Sequence, residues 1–444
     1  MKKTTYILMM VSLMFASCTK VLDVEPTASV SNETAISDKV GVERAVVGAY
    51  TSLQATGLYG RNRVVLGDLS ADNLIWTGTS YEYFQIENNN VPAENLIIDG
   101  IWSAGYDGLN RVNNVLAATA KISGLTQAER DKQEGESLFL RAMFHYNLVT
   151  LFGGVPIKTS PTADISNIDQ PRNTPEEVYA QIISDLISAE TKLPAVNTAG
   201  RATKYAASAL LARIYLNRYQ NTGDASYATL AIEKADKVLT EGGYELANPY
   251  ADLYEGVSNE IIFEVVFDAQ NKNRLAEYFF PRSLAGRYEI APTTSLIESY
   301  EVGDARLEAS IATDSEGKVY CKKYEQLSAG SDGVIVLRLA EMYLIKAEVL
   351  AYSNGEIGAI QDNVDAVRER AGLLPTTADT HDALKMAIEN ERRHEFAFEG
   401  HRWFDLVRTN RATTVLGIDD KHTLFPIPLS EMQTNKLMTQ NDGY

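Results

Sequence analysis

Two helices joined by a short turn are the feature that most constrains what this chain can fold into. In residues 205–218, apolar side chains recur at intervals of three and four, the spacing that places them on one face of an α-helix. That face consists of Ala207, Leu210, Leu211, Ile214 and Tyr215. After a turn that contains Gly223, the same spacing returns in residues 228–239, and Gly242 ends it. This segment is therefore predicted to fold as a helical hairpin.

The hairpin pattern recurs along the chain. A second copy occupies residues 340–351 and 360–371, with a glycine-containing turn between its halves, and residues 136–152 and 176–193 form a third pair. Alanine stands where the paired helices would cross, and small side chains there let helix backbones approach closely. Tetratricopeptide-type repeats stack in this way, although a strict 34-residue period is absent. The predicted fold is mainly α, a tetratricopeptide-like scaffold of helical hairpins.

Two long stretches interrupt the helical pattern. Residues 62–101 contain glycine, asparagine and aromatic residues without a clean period. Residues 246–333 are rich in turn residues and carry one strand-like run at 261–267. These stretches are predicted to be large irregular loop insertions with minor β-structure. Insertions of this kind commonly carry function while the scaffold holds them in place.

The N-terminus has the layout of a lipoprotein signal. Lys2 and Lys3 precede an apolar stretch at 7–16 that is too short to span a bilayer. The stretch ends in residues 15–18, Phe-Ala-Ser-Cys, which resembles the lipobox, with Phe where that pattern usually has Leu. The alternative is an ordinary signal peptide followed by an unrelated cysteine. We expect a signal peptide at 1–17, acylated Cys18 and a polar tether at 18–38, and one helical domain at 39–444.

Charge and cysteine content exclude several classes of function. The formal net charge is −18 and no basic run follows the first three residues, so the chain lacks the clustered cations that bind nucleic acid. Cys18 and Cys321 are the only cysteines. If Cys18 is acylated, no disulfide can form in the mature chain, and a site built from several cysteines is excluded.

The segment 391–406 invites a metal interpretation, because it contains His394, Glu395 and His401. A zinc peptidase helix needs its two histidines four residues apart, with the glutamate between them. Here they are seven apart, and Gly400 is expected to end the helix before the second one. No metal site is therefore predicted.

A structural role fits this segment better. Its charged residues, Arg392, Glu395, Glu399, Arg402 and Asp405, lie at spacings that allow pairing, and buried charges require such partners. Aromatic and aliphatic side chains alternate with them, supplied by Phe396, Phe398, Trp403, Phe404 and Leu406. We expect a core-forming block that docks the C-terminal segment.

Catalytic templates are missing from the sequence. It contains no GxSxG elbow, no Walker loop and no GxGxxG motif. The 59 carboxylates must include some close pairs by chance, so spacing alone nominates no glycosidase couple. The sequence predicts neither catalytic residues nor a cofactor.

The first irregular stretch, residues 62–101, contains residues typical of a sugar-binding loop. A sugar ring presents an apolar C–H face and a hydroxyl rim, so its site combines flat aromatic side chains with polar groups. The candidates in this loop are Asp72, Asn73, Trp76, Tyr81 and Tyr83. A weaker cluster of the same kind, within 278–288, adds Tyr278, Arg287 and Tyr288. The alternative is that Trp76 and Phe84 only pack the loop onto the scaffold.

Several ordered blocks resemble the SusD/RagB family of outer-membrane nutrient-binding lipoproteins, over nearly the entire chain. The block at 391–406 looks like that family's most recognisable motif. The other matching blocks are Cys18 with Leu22-Asp23 and Pro26, Glu136 with 140–142 and 147–156, 200–213, 337–344, 425–428, and the tail at 440–444. The family usually has Pro where Asp442 stands.

The resemblance implies a tetratricopeptide-like scaffold and a partner. The partner is a SusC-type TonB-dependent barrel transporter, over which the lipoprotein sits as a lid that captures an oligosaccharide at the cell surface. In the RagB branch the cargo is peptide. Ligand residues do not carry over, because the family binds its ligands through variable loops.

Four functions remain open at this point. The leading one is a glycan-binding lid, anchored to the outer membrane by lipid and facing the exterior. The alternatives are a lid for peptide or another nutrient, a helical-repeat scaffold for protein assembly, and a surface hydrolase.

Overall fold

Helices make up most of the architecture in the computed structural model, which describes residues 36–162, 168–256 and 258–444. Among these residues the α-helices are α1 (Lys39–Leu53), α2 (Asn62–Leu69), α3 (Tyr81–Glu87), α4 (Leu96–Thr119), α5 (Gln127–Phe152), α6 (Pro175–Lys192), α7 (Lys204–Thr222), α8 (Ala225–Glu241), α9 (Leu275–Phe279), α10 (Thr294–Ser299), α11 (Ala305–Ser310), α12 (Leu339–Tyr352), α13 (Ile357–Arg370), α14 (His381–Glu395), α15 (Arg402–Arg408), α16 (Ala412–Leu416) and α17 (Leu429–Thr434). The strands are β1 (Leu74–Trp76), β2 (Ile261–Val265), β3 (Ile290–Pro292), β4 (Ile311–Thr313), β5 (Val319–Cys321) and β6 (Val334–Arg338). They form three antiparallel two-stranded sheets, β1–β3, β2–β6 and β4–β5.

All three predicted hairpins are present, as α5/α6, α7/α8 and α12/α13. Local sequence sets their ends. Thr203 caps α7 by accepting a 3.1 Å hydrogen bond from the Ala206 backbone N–H, and Gly223 ends that helix with φ +70°. Thr174 and Glu177 cap each other's backbone at the start of α6. Each such cap contributes about 1 kcal/mol, which sharpens the helix boundaries.

The hairpins stack in chain order. Helix α4 packs between α1 and α5, α6 against α7, and α8 against α12. The crossings are lined by buried alanines, including Ala206, Ala209 and Ala212 on α7 and Ala231 and Ala235 on α8. The mainly α, tetratricopeptide-like prediction is therefore confirmed.

The irregular stretch predicted at 62–101 is more helical than its sequence suggested. It contains α2, α3 and the start of α4. All eight residues of α2 are buried, including Asn62, Arg63 and Asp68, so the helix has no exposed polar face. A Cβ at Gly67 would lie 2.3 Å from the carbonyl oxygen of Gly400, so glycine is what lets α2 approach the C-terminal block.

The strand-like run at 261–267 is confirmed as β2, which pairs with β6. Much of the remaining stretch at 246–333 consists of turns and short elements. The short α9 and α10 helices and the β3 strand lie within it and carry the second aromatic cluster toward the first.

A buried ion-pair network fixes the C-terminal block. Glu395, fully buried at the end of α14, accepts hydrogen bonds from Arg306, Arg338 and Arg370. Glu399 accepts from Arg338 at 2.9 Å and from Lys323 at 2.9 Å. Burial alone would raise the pKa of Glu399, but these two cations outweigh it and lower that pKa to about 2.

A second buried group of charges joins α14 to α15 and α12. Arg392 donates to Asp405 at 2.8 Å and 3.0 Å, and Arg408 bridges Asp405 and Glu348. The predicted core-forming role of residues 391–406 is confirmed. The sequence did not reveal that Glu395 and Glu399 take their cations from residues 306–370, far upstream of the block.

Candidate functional site

The pairing of β1 with β3 brings the two predicted aromatic clusters next to each other. Trp76 lies opposite Ile290, and the next residue, Thr77, donates its backbone N–H to Glu289 at 2.9 Å. The Thr77 hydroxyl also donates to the carbonyl of Tyr288 at 2.8 Å. Segments separated by about 210 residues in sequence are thus joined edge to edge.

A partly exposed aromatic surface, which we call the aromatic platform, is formed by half-buried Trp76 together with Tyr81 and Phe84. The Phe84 ring lies 5.3 Å from Trp76, edge on, and 5.5 Å from Tyr81, nearly parallel to it. Tyr81 is 61% exposed and Phe84 is 37% exposed. Such ring separations are those of favourable aromatic pairs, so the three side chains hold one another in place.

Polar groups border the aromatic platform. The Glu289 carboxylate accepts from the backbone N–H groups of Thr79 at 2.8 Å and Ser80 at 3.0 Å. Burial would raise the pKa of Glu289, but those donors, together with Arg287 at 3.1 Å, hold it below its ordinary value. Glu289 therefore stays ionised and ties the loop that carries Tyr81 to the β3 side of the site.

Arg287 is the most accessible charged group among the predicted site residues. Its side chain is 45% exposed, and its guanidinium lies 4.9 Å from the centre of the buried Tyr278 ring. Arg61 approaches the same ring at 4.0 Å. Tyr278 therefore packs against two guanidinium groups, and because it is buried its ring is not available to a ligand.

Asp72 and Asn73 point into the protein. Asn73 is fully buried, donates to Asp68 at 2.7 Å and accepts from Arg393 at 3.0 Å. Asp72 accepts two hydrogen bonds from Arg402, at 2.7 and 3.0 Å. Burial opposes ionisation of Asp72, yet Arg402 outweighs it and the pKa is lowered. These two side chains anchor β1 to the C-terminal block, which is a supporting role.

Tyr83 and Tyr288 are also tied to the protein. Tyr83 is buried, donates its hydroxyl to Asn62 at 3.0 Å and packs edge on against Tyr278 at 5.9 Å. Tyr288 is half-buried and donates its hydroxyl to the carbonyl of Val319 at 3.1 Å. Of the sequence candidates, Trp76, Tyr81, Arg287 and Tyr288 retain surface, whereas Asn73, Tyr83 and Tyr278 are internal.

Sequence reasoning missed two contributors to this surface. Phe84 was interpreted only as a packing residue, although Tyr81 and Phe84 stand three apart, which places them side by side on a helix. Glu289 was not nominated. Nothing in the local sequence ties it to Thr79 and Ser80, because that contact depends on long-range strand pairing.

Two further expectations concern the membrane and metals. Cys18 and the predicted signal peptide lie outside the described residues. Within residues 36–162, 168–256 and 258–444, no helix combines the length and apolar character that crossing a bilayer requires. The same residues contain no group of three or more histidine, cysteine, aspartate or glutamate side chains placed to hold a metal ion.

Comparisons with known proteins give consistent matches along the chain. A family model described as "Starch-binding associating with outer membrane" matches residues 20–216, and the model of the SusD family matches residues 308–444. The chain is 26% identical to SusD-like protein P38 of Formosa agariphila, over 96% of each chain.

Solved structures share the fold. A SusD superfamily protein from Bacteroides vulgatus has a TM-score of 0.84 at 22% identity, covering 93% of this chain and 100% of that one. A laminarin-binding SusD-like protein has a TM-score of 0.82 at 24% identity, covering 92% and 100%. Two family models, a relative that matches end to end and these structures agree, and the chain belongs to the SusD/RagB family.

Proposed function

We infer that this chain is a cell-surface glycan-binding lipoprotein that captures an oligosaccharide on the aromatic platform. The observation that carries the proposal is the row formed by half-buried Trp76 and exposed Phe84 and Tyr81, with ring separations of 5.3 and 5.5 Å. Exposed aromatic side chains in contact are costly to leave in water, and soluble proteins retain them chiefly at binding surfaces.

The chemistry of the surface suits a sugar. The C–H face of a pyranose ring packs on an aromatic face, while its hydroxyl groups need donors and acceptors at the rim. Thr77, Thr79 and Arg287 supply such groups beside the aromatic platform, and the buried Glu289 holds Thr79 and Arg287 in place. Binding of this kind requires no bond to be broken.

Binding without catalysis is part of the proposal. The carboxylates of the C-terminal block are buried against arginines and cannot reach a surface ligand as acid or base. The names of the relatives support the same view, since one solved neighbour is a laminarin-binding protein and one family model is described as starch-binding.

The proposed setting is the outer membrane. Acylated Cys18 would anchor the protein, since each buried lipid methylene adds roughly 0.8 kcal/mol. The partner would be a SusC-type TonB-dependent transporter, on which the protein acts as a lid. The family description as associating with the outer membrane supports this setting. Co-purification of the native protein tests the partner, and its isolation without any barrel would contradict the lid.

Variants of the aromatic platform test the ligand. Calorimetric titration of the full-length protein with laminarin oligosaccharides, maltooligosaccharides and mixed peptides should detect binding of a glycan. Trp76→Ala and Tyr81→Ala should each weaken it roughly tenfold, as loss of a central aromatic contact does. Tyr444→Ala is the matched control, because that exposed tyrosine packs on His422. Binding of peptides alone would favour a peptide lid, and unchanged affinity in both platform variants would refute the site.

A further inference from the structure

Arg63 is a buried cation without a carboxylate partner. Its residue is 8% exposed, and among the described residues no carboxylate oxygen lies within 4.0 Å of its guanidinium. Its single hydrogen bond to protein is a long one, 3.4 Å, to the carbonyl of Gly400, and its Nε has no partner. The guanidinium stacks on the Phe404 ring at 3.8 Å, which does not neutralise it.

A small cavity of about 50 Å³ lies beside this guanidinium, between α2, α7, α12 and the C-terminal block. Four guanidinium groups line it, those of Arg63, Arg213, Arg392 and Arg408. Three carboxylates line it as well, those of Glu341, Glu399 and Asp405. Arg213, Arg392 and Arg408 each pair with a carboxylate, so among the described residues Arg63 is the lining guanidinium that lacks such a partner.

Each lining carboxylate is already engaged by another cation. Arg213 donates twice to Glu341, at 2.7 and 2.6 Å. Asp405 accepts from both Arg392 and Arg408, and Glu399 accepts from Arg338 and Lys323. None is left to neutralise Arg63.

A second unpartnered donor lines the same cavity. Arg392 uses Nε and Nη2 on Asp405, but its buried Nη1 has no hydrogen-bond partner. Two guanidinium groups that present unmatched donors to one small space form the donor set of an anion site. Asp68, on the same helix, attracts Arg63 only from beyond 4.0 Å. A water molecule would satisfy the hydrogen bonds, whereas an anion would also place a negative charge next to this buried cation.

We propose that the cavity between Arg63 and Arg392 binds a small monovalent inorganic anion of the halide class, chloride under physiological conditions. The volume is sufficient for one small ion. The ion completes the junction of α2 with the C-terminal block, and α2 is the helix whose Asn62 holds Tyr83 behind the aromatic platform. The site is separate from the proposed glycan surface and does not depend on it.

Bromide provides the direct test, because it replaces chloride and scatters anomalously. Crystals of the full-length protein grown in sodium bromide should show one anomalous peak within hydrogen-bond distance of both Arg63 and Arg392. An ordinary water in that position, without anomalous signal, would overturn the proposal.

Stability in solution provides an independent readout. Raising chloride in a gluconate buffer of constant ionic strength should raise Tm by about 1 to 3 °C, since only the folded state offers the site. Arg63→Met should abolish that shift. Arg111→Met, which removes an exposed arginine paired with Asp107, is the control and should keep it. An equal Tm shift in both variants, or no shift in the parent protein, would refute the site. If Arg63→Met does not fold, the anomalous signal in the bromide crystal alone tests the proposal.

Discussion

Replacing Arg338 by methionine should destabilise the protein far more than the loss of an exposed ion pair would. Arg338 donates to Glu260 at 2.9 Å, to Glu399 at 2.9 and 3.1 Å, to the Glu395 carboxylate, and to the Glu395 carbonyl at 2.7 Å. Its side chain is 2% exposed. Methionine keeps the apolar stem but removes the charge, so buried carboxylates lose a cation. Breaking a buried pair from one side costs about 3–5 kcal/mol.

Urea denaturation followed by circular dichroism measures this loss, and Arg111→Met serves as the matched control. The Arg111–Asp107 pair has a similar 2.9 Å separation, but both side chains are more than half exposed. Exposed pairs contribute about 0–1 kcal/mol. The reasoning predicts a clear gap between the two variants in the free energy of unfolding. Arg338→Met within about 1 kcal/mol of the parent protein would refute the assigned role of the network.

Three further predictions concern pH, the core and the anchor. Burial lowers the pKa of His145, His394 and His401 to about 3, so the unfolded chain binds more protons than the folded one between about pH 6.5 and 3. Stability should therefore fall as pH drops below 6.5. Asp68, whose pKa burial raises to about 6, has the opposite effect, but the three histidines together outweigh it. A Tm that does not change from pH 7 to pH 5 would contradict this prediction. Tyr83→Phe removes the hydroxyl bound to Asn62 and should cost about 1 kcal/mol of stability without changing glycan affinity, whereas a large loss of affinity would place Tyr83 in the binding site. Cys18→Ala should move the protein from the membrane fraction to the soluble periplasmic fraction, and continued membrane association would disprove the lipid anchor.

The helical scaffold was predictable because its helices bury one stripe and expose another. Helices α8 and α13 show that spacing. Their partners α7 and α12 are buried on most sides, and their length and their flanking turn glycines mark them instead. Helix α2 escaped prediction because it is only eight residues long and all of them are buried, including the polar Asn62, Arg63 and Asp68, so it has no exposed polar face.

The candidate site was predictable in composition but not in geometry. The sequence indicated an aromatic loop at 76–84 and a second cluster at 278–288, and strand pairing makes the two segments neighbours. It could not show that Asn73 and Tyr83 turn inward, because their partners, Arg393 and Asn62, are set by tertiary contacts. The acceptor role of Glu289 depends likewise on a strand pairing between distant segments.

Tryptophan fluorescence tests the central claim most directly. The chain has three tryptophans, and Trp102 and Trp403 are 3% and 0% exposed, so Trp76 is the one that a surface ligand can touch. Titration with the glycan that binds should change the emission with the same Kd that calorimetry reports, and Trp76→Phe should abolish the optical change while retaining binding. Glycan binding that leaves Trp76 emission unchanged would place the ligand elsewhere and contradict the account.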